Sequence, residues 1–245
     1  MLGLATGITN TSYQWQPNMV GADLKLWLRN GVGITLNGLD VEKWDDSSGN
    51  SNHVKQTTSG DRGLASGGGI EFEFDNGDHY DLVDDAGDAT NIAIASDEAF
   101  MAFVVMNLES QTNQGLFGQS SGIFIDVDNA NKIQFKTGGT GSANTTPQTT
   151  GDPFATGSKF VLGIKRDGGT TGNLHMYKNG ALLTPKASVG QLANRGSITI
   201  DTLGTRHNDQ FFDGIIYEVL IYDTTDLTAS EITKISNYLN NKHSI

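Results

Sequence analysis

What most constrains the fold of this chain is the way it ends. Phe212-Asp213-Gly214 turns into a run dense in β-branched and aromatic residues, Ile215 to Tyr222, which reads as a strand entered through a glycine turn. Directly after it, Leu227-Thr228-Ala229-Ser230-Glu231 opens a helix. Thr228 and Glu231 have the spacing of a capping box, and Leu227 and Ile232 are placed to staple it. Ile232, Ile235 and Leu239 recur at helical spacing, so the pattern predicts a helix over 228–242 with one apolar face laid on a sheet.

Upstream, the periodicity is that of short strands. Leu24 to Leu28 alternates around Lys25 and Trp27, and Ile70 to Phe74 sets Phe72 and Phe74 against Glu71 and Glu73. Ala99 to Leu108 is almost wholly apolar, as suits a central strand buried on both faces. Gly115–Gly118, Gly122–Val127 and Lys132–Lys136 read as a meander, and strands resume at Lys159–Lys165, Asn173–Tyr177 and Ser197–Leu203. Residues 137–151 are poor in apolar groups and read as an exposed loop. With 31 Gly against 4 Pro, the composition suits many turns. The expected fold is all-β: a two-sheet antiparallel jelly-roll sandwich with a short C-terminal helix. Residues 1–20 are read as an N-terminal arm and 21–245 as one domain.

Charge and composition remove several partners. Lys plus Arg is 16 and Asp plus Glu is 28, a balance of −12 with no basic cluster, so neither nucleic acid nor an anionic membrane surface is expected. No apolar run approaches the roughly 20 residues that span a bilayer, so no membrane insertion is expected. Met1 to Thr9 has no basic n-region, and no signal peptide is read there. With no cysteine there is neither a disulfide framework nor thiolate chemistry.

Several motifs resemble one family. Leu24-Lys25-Leu26-Trp27-Leu28, then Trp44-Asp45-Asp46-Ser47-Ser48-Gly49-Asn50-Ser51-Asn52-His53, look like the opening of laminin-G-like, concanavalin A-like jelly rolls found in bacterial and phage proteins. Leu174 to Lys178 running into Asn179-Gly180 resembles that family's hairpin, where Asn-Gly supplies the positive φ of a type I′ turn. The strand-and-helix close resembles the end of the same domains. The opening Met1-Leu2-Gly3-Leu4 is similar to the start of small laminin-G-like proteins of tailed, chiefly marine, phages. The resemblance implies carbohydrate binding or adhesion, with glycosidases as a minority.

Alternation would put Glu71, Glu73 and Asp75 on one strand face about 7 Å apart, whereas a retaining glycosidase needs two carboxylates about 5–5.5 Å apart. A solvated strand face is the favoured reading, and no catalytic residue is assigned. The Asp-rich run Asp75, Asp78, Asp81, Asp84, Asp85 and Asp88 offers oxygens to a structural calcium ion, as does Asp126-Val127-Asp128, but neither has EF-hand spacing. No metal ligand or other cofactor is assigned. His53, His79, His175, His207 and His243 have no metal spacing. Trp27 and Trp44 could stack on sugars but sit in the fold motifs, where packing is favoured. Trp15 lies in the arm; a bulky aromatic is costly to leave wet, so Tyr13, Trp15 and Met19 are expected to dock on a neighbouring subunit or particle.

The expectation is a non-enzymatic phage virion surface protein: capsid decoration, fibre or tail component, assembled in the host cytoplasm. Its partners would be other virion proteins, further copies of itself and host-surface glycans. The alternatives are a bacterial carbohydrate-binding adhesin and, less favoured, a glycoside hydrolase.

Overall fold

The computed structural model describes residues 15–20, 22–110, 114–120, 123–127, 133–136, 154–169, 174–183, 196–206 and 210–245. Tyr13, the loop 137–151 and the opening motif lie outside them. The structure is a mostly antiparallel β-sandwich with one C-terminal helix, as the sequence predicts.

One layer is built on Ala99–Leu108, which pairs with Gly214–Thr224 on one side and Phe160–Arg166 on the other. Asp23–Leu28 and Gly69–Phe72 add to Gly214–Thr224, and Leu174–Lys178 adds to Phe160–Arg166. The other layer runs from Ile34–Asn37 and Asp40–Trp44 through His53–Lys55, Tyr80–Val83 and Thr202–Leu203 to Gln114–Ser120, Ile123–Val127 and Ile133–Lys136. The short strand Leu64–Ser66 bonds to both layers, so the ladder passes from one to the other around an edge.

Two apolar layers explain why Ala99–Leu108 is apolar throughout. Phe100, Val104 and Met106 face the core between the sheets, while Met101, Phe103 and Val105 face a second core on the outer side. The helix Ala229–His243 covers that outer side, with Ile232, Ile235 and Leu239 buried in it. Its capping box forms: Glu231 N donates to Thr228 Oγ1 at 3.3 Å and Thr228 N donates to Glu231 Oε2 at 2.8 Å. Among the described residues no helix is long and apolar enough to cross a membrane.

The structure departs from simple alternation in three places. A register shift between Leu24 and Leu26 puts Leu24 and Trp27 in the outer core, with Leu26 and Leu28 in the inner one. A second shift, between Ile216 and Glu218, leaves both Tyr217 and Glu218 on the helix side. The third corrects the expected acidic strand. The strand ends at Phe72, and Phe74–Asn76 form a 3-10 turn closed by Gly77 at φ 75°. Glu73 N donates to the Asp78 carboxylate at 2.9 Å, so that N–H serves a turn and Asp75 leaves the Glu71 face.

The motif around Asp46 is structural. Asp46 Oδ1 accepts from Trp27 N and Ser48 N, both at 2.8 Å, and Oδ2 accepts from Ser48 Oγ at 2.6 Å and Asn52 N at 3.1 Å. Asn50 and Asn52 donate to the Leu24 and Lys25 carbonyls, along the edge of Asp23–Leu28 opposite Gly214–Thr224. Asn179 and Gly180 make the expected tight hairpin, at φ 53° and 86°.

Candidate functional site

The acidic strand does gather carboxylates, although not the set that alternation suggests. Glu71 and Glu73 are joined by Glu109, the residue after the central strand, because Gly69–Phe72 and Ala99–Leu108 flank Gly214. Carboxylate oxygens of all three lie within 4.8 Å of one another. Partial burial and the charges of Glu71, Asp213 and Glu73 push the Glu109 carboxyl above its ordinary range. Glu73 and Glu109 are exposed, and the nearby ring of Tyr217 already carries the Lys159 ammonium, 4.0 Å from its centroid.

The Asp-rich run disperses. Asp78 is buried and accepts from Glu73 N, with Oδ1 unpartnered; burial pushes it up to about 6. Asp84 caps its own loop by accepting from Ala86 N and Asp88 N at 2.9 and 3.0 Å. Asp85 bonds His53 Nε2 at 2.9 Å and Ser51 Oγ at 2.7 Å, and both bonds hold its carboxyl below the usual range. Asp81 faces outward beside a shallow polar pocket with Lys55 and Asp201. Asp128 lies outside the described residues.

A concave site forms where the arm meets the helix. Trp15 does not extend into solvent; its ring meets Tyr238 of the same chain edge-on, with centroids 6.1 Å apart. Beyond it the arm turns through Pro17–Met19, held by Tyr222, whose hydroxyl donates to Pro17 O at 3.1 Å. Met19 is 42% exposed. Trp27 also meets Tyr238 edge-on, with centroids 6.5 Å apart, and the Arg29 guanidinium sits over Trp27, 5.1 Å from its centroid. The Trp15 and Tyr238 rings and Arg29 line a pocket of about 600 Å³, completed by Gln16 and by Lys234, Asn237, Asn241 and Lys242 of the helix. Trp27 and Trp44 are themselves buried, as packing requires.

Glu218 sets the helix against the sheet under this pocket. It is fully buried, yet its oxygens accept from Trp27 Nε1 at 2.8 Å, His243 Nε2 at 2.7 Å and Lys242 Nζ at 2.8 Å. Burial pushes its carboxyl up, but the bonds from His243, Lys242 and Trp27 outweigh that and hold it below the usual range. Tyr238 is pushed up to about 12 by burial and by the Glu218 charge, and so keeps its proton at neutral pH.

Of the three arm residues expected to dock, Trp15 enters this pocket, Met19 stands beside it in the 3-10 turn, and Tyr13 is outside the described residues. Sequence reasoning missed Arg29 and the helix residues. A signal was there: 234, 237, 238, 241 and 242 follow the same i, i+3, i+4, i+7, i+8 spacing as an apolar stripe, here filled with Lys, Asn and Tyr.

Residues 88–233 match the laminin G family model described as the concanavalin A-like lectin/glucanases superfamily. Among solved structures, the chain is similar to Trypanosoma rangeli sialidase, with a TM-score of 0.55 and 14% identity over 90% of this chain and 33% of that one. It is similar to the binding domain of Paraclostridial Mosquitocidal Protein 1, with a TM-score of 0.50 and 13% identity over 92% of this chain and 54% of that one. A third similar structure is the ligand binding domain of botulinum neurotoxin serotype D in complex with N-acetylneuraminic acid, at TM-score 0.51 and 14% identity over 88% of this chain and 51% of that one. The chain thus spans a third to about half of these chains, and at such identities the likeness is one of fold. No curated protein sequence matches it.

Proposed function

The chain belongs to the concanavalin A-like lectin/glucanases superfamily, and from that premise we propose that it is a glycan-binding module whose sugar site is the Trp15–Tyr238 pocket. The observation that carries this reading is the pairing of aromatic rings with amides in one concave site. Ring faces suit the C–H face of a pyranose, and Gln16, Asn237 and Asn241 offer both donors and acceptors to hydroxyls. A protein of the same fold holding N-acetylneuraminic acid makes sugars the first ligand class to try. Among the described residues the lining contains no Asp or Glu, whereas glycoside hydrolysis ordinarily uses a carboxylate pair, so the proposed role is binding without turnover. Glycan-array binding by the intact chain, lost in Trp15→Ala with an unchanged melt, is the expected result. Retention of no glycan, or equal retention by Trp15→Ala, would remove this reading.

The convergence of Glu71, Glu73 and Glu109, with Glu109 shifted upward, favours a second reading as a glycoside hydrolase. Release of reducing sugar from a β-glucan, abolished in Glu71→Gln and Glu109→Gln, would establish it. The finer setting we propose, display on a phage particle beside other copies and virion proteins, rests on the sequence resemblance alone. Mass spectrometry of purified particles tests it: the chain at fixed stoichiometry supports virion display, and its absence contradicts it.

A further inference from the structure

Within a chain whose net charge is −12, the pocket is a basic exception. Among the described residues its lining holds Arg29, Lys234 and Lys242 and no carboxylate. Lys242 is committed, since its ammonium lies 2.8 Å from the buried Glu218. The charge of Glu218 is directed inward, to Trp27, His243 and Lys242. Arg29 and Lys234 are different: among the described residues no carboxylate lies at ion-pair distance from either. Arg29 is held in place by stacking on Trp27 and by its hydrogen bond with the Tyr238 hydroxyl, while Lys234 stands one helical turn before Tyr238.

Resting on the reading of this pocket as a sugar site, we infer that it selects sugars bearing a carboxylate, with Arg29 and Lys234 as the groups that read the charge. A guanidinium presents a planar fork of N–H donors that matches a carboxylate, and stacking on Trp27 orients it beforehand. Lys234, exposed on its flexible stem, acts as a point charge that steers and partly neutralises the ligand. The Trp15 and Tyr238 rings and the amides hold the rest of the sugar, whatever its charge. Selection by charge and retention by the rings are thus separable.

Titration calorimetry of the intact chain tests this with three probes: sialyllactose, trigalacturonate and neutral lactose. The expected result is that at least one acidic probe binds about tenfold or more tightly than lactose, a margin that shrinks as salt rises. Arg29→Gln with Lys234→Gln should erase that margin by weakening the acidic probes more than lactose, whereas Trp15→Ala should weaken every probe alike. Preference for one acidic probe over the other identifies the source of the carboxylate. Equal binding of acidic and neutral probes, or an acidic preference that survives the double substitution, would overturn the charge selection while leaving the glycan-binding reading in place. Binding of none of the three would overturn the selection. If the wider array also retained no glycan, the glycan-binding reading itself would fall.

Discussion

Two polar regions lie on the helix-bearing side of the sandwich, and they handle buried charge in opposite ways. Under the pocket, Glu218 is fully buried and receives bonds from three donors, so its charge holds the helix to the sheet. At the acidic end, Glu71, Glu73 and Glu109 crowd one another, and Asp78 behind them is buried with an oxygen unpartnered. A compensated carboxylate stabilises its surroundings; an uncompensated one is tolerated by protonating. The pocket region is therefore the built one, and the acidic end is a strand terminus where like charges meet. That contrast, more than the count of acidic residues, favours binding at the pocket over catalysis at the glutamates.

The contrast breaks most sharply if the helix is lifted. Ile235→Asp places an unpaired carboxylate in the outer core and should cost about 4 kcal/mol or more, with loss of the pocket, read by denaturant unfolding and ligand binding together. Glu218→Gln should cost about 3 kcal/mol at neutral pH by leaving the buried-side Lys242 ammonium without its counter-charge and weakening the bonds from Trp27 and His243. Because the folded carboxyl is depressed, its stabilisation is present above the ordinary glutamate range and fades as pH falls through the folded value. The variant should thus approach the parent in acid; a constant gap from pH 3 to 7 would show that Glu218 acts by shape alone.

Asp78 should behave in the opposite sense. Its folded carboxyl is raised to about 6, so burial costs nothing while both states are protonated, and the penalty grows as pH rises through that value. Between pH 4 and 7 the stability difference between Asp78→Asn and the parent should move in the variant's favour by about 2 kcal/mol. The smallest effect is expected at the surface: Glu73→Gln, which relieves like-charge crowding, should change stability by less than about 0.5 kcal/mol and lower the raised Glu109 carboxyl toward its ordinary range, as followed by NMR titration.

Most of the fold was legible because its signals are local. The Thr228–Glu231 cap, the Asn179-Gly180 turn and the two-sided apolar run at Ala99–Leu108 each rest on a few adjacent residues. Alternation failed where one extra residue enters a strand: the bulge at Tyr217 turns Glu218 under the helix, and no pattern within that strand announces it. It failed again at Glu73, where the partner that ends the strand is the side chain of Asp78, five residues on. The pocket was harder still. Trp15 stood out as an aromatic needing cover, but its ring partner Tyr238 comes from the far end of the chain, and only the fold brings the two within 7 Å. The helix side chains were visible as a stripe; that the arm and Arg29 would meet that stripe was not.

The central claim, that sugar binds between the arm and the helix, is most directly tested through the indole N–H resonances of the 3 tryptophans. Trp15 lines the pocket, Trp27 lies beneath Tyr238, and Trp44 is buried at the other layer with its Nε1–H bonded to the Arg29 and Val32 carbonyls. Titration with a glycan retained by the intact chain should shift the Trp15 signal saturably, move Trp27 less and leave Trp44 in place. A saturating glycan that leaves the Trp15 indole unmoved would contradict the account.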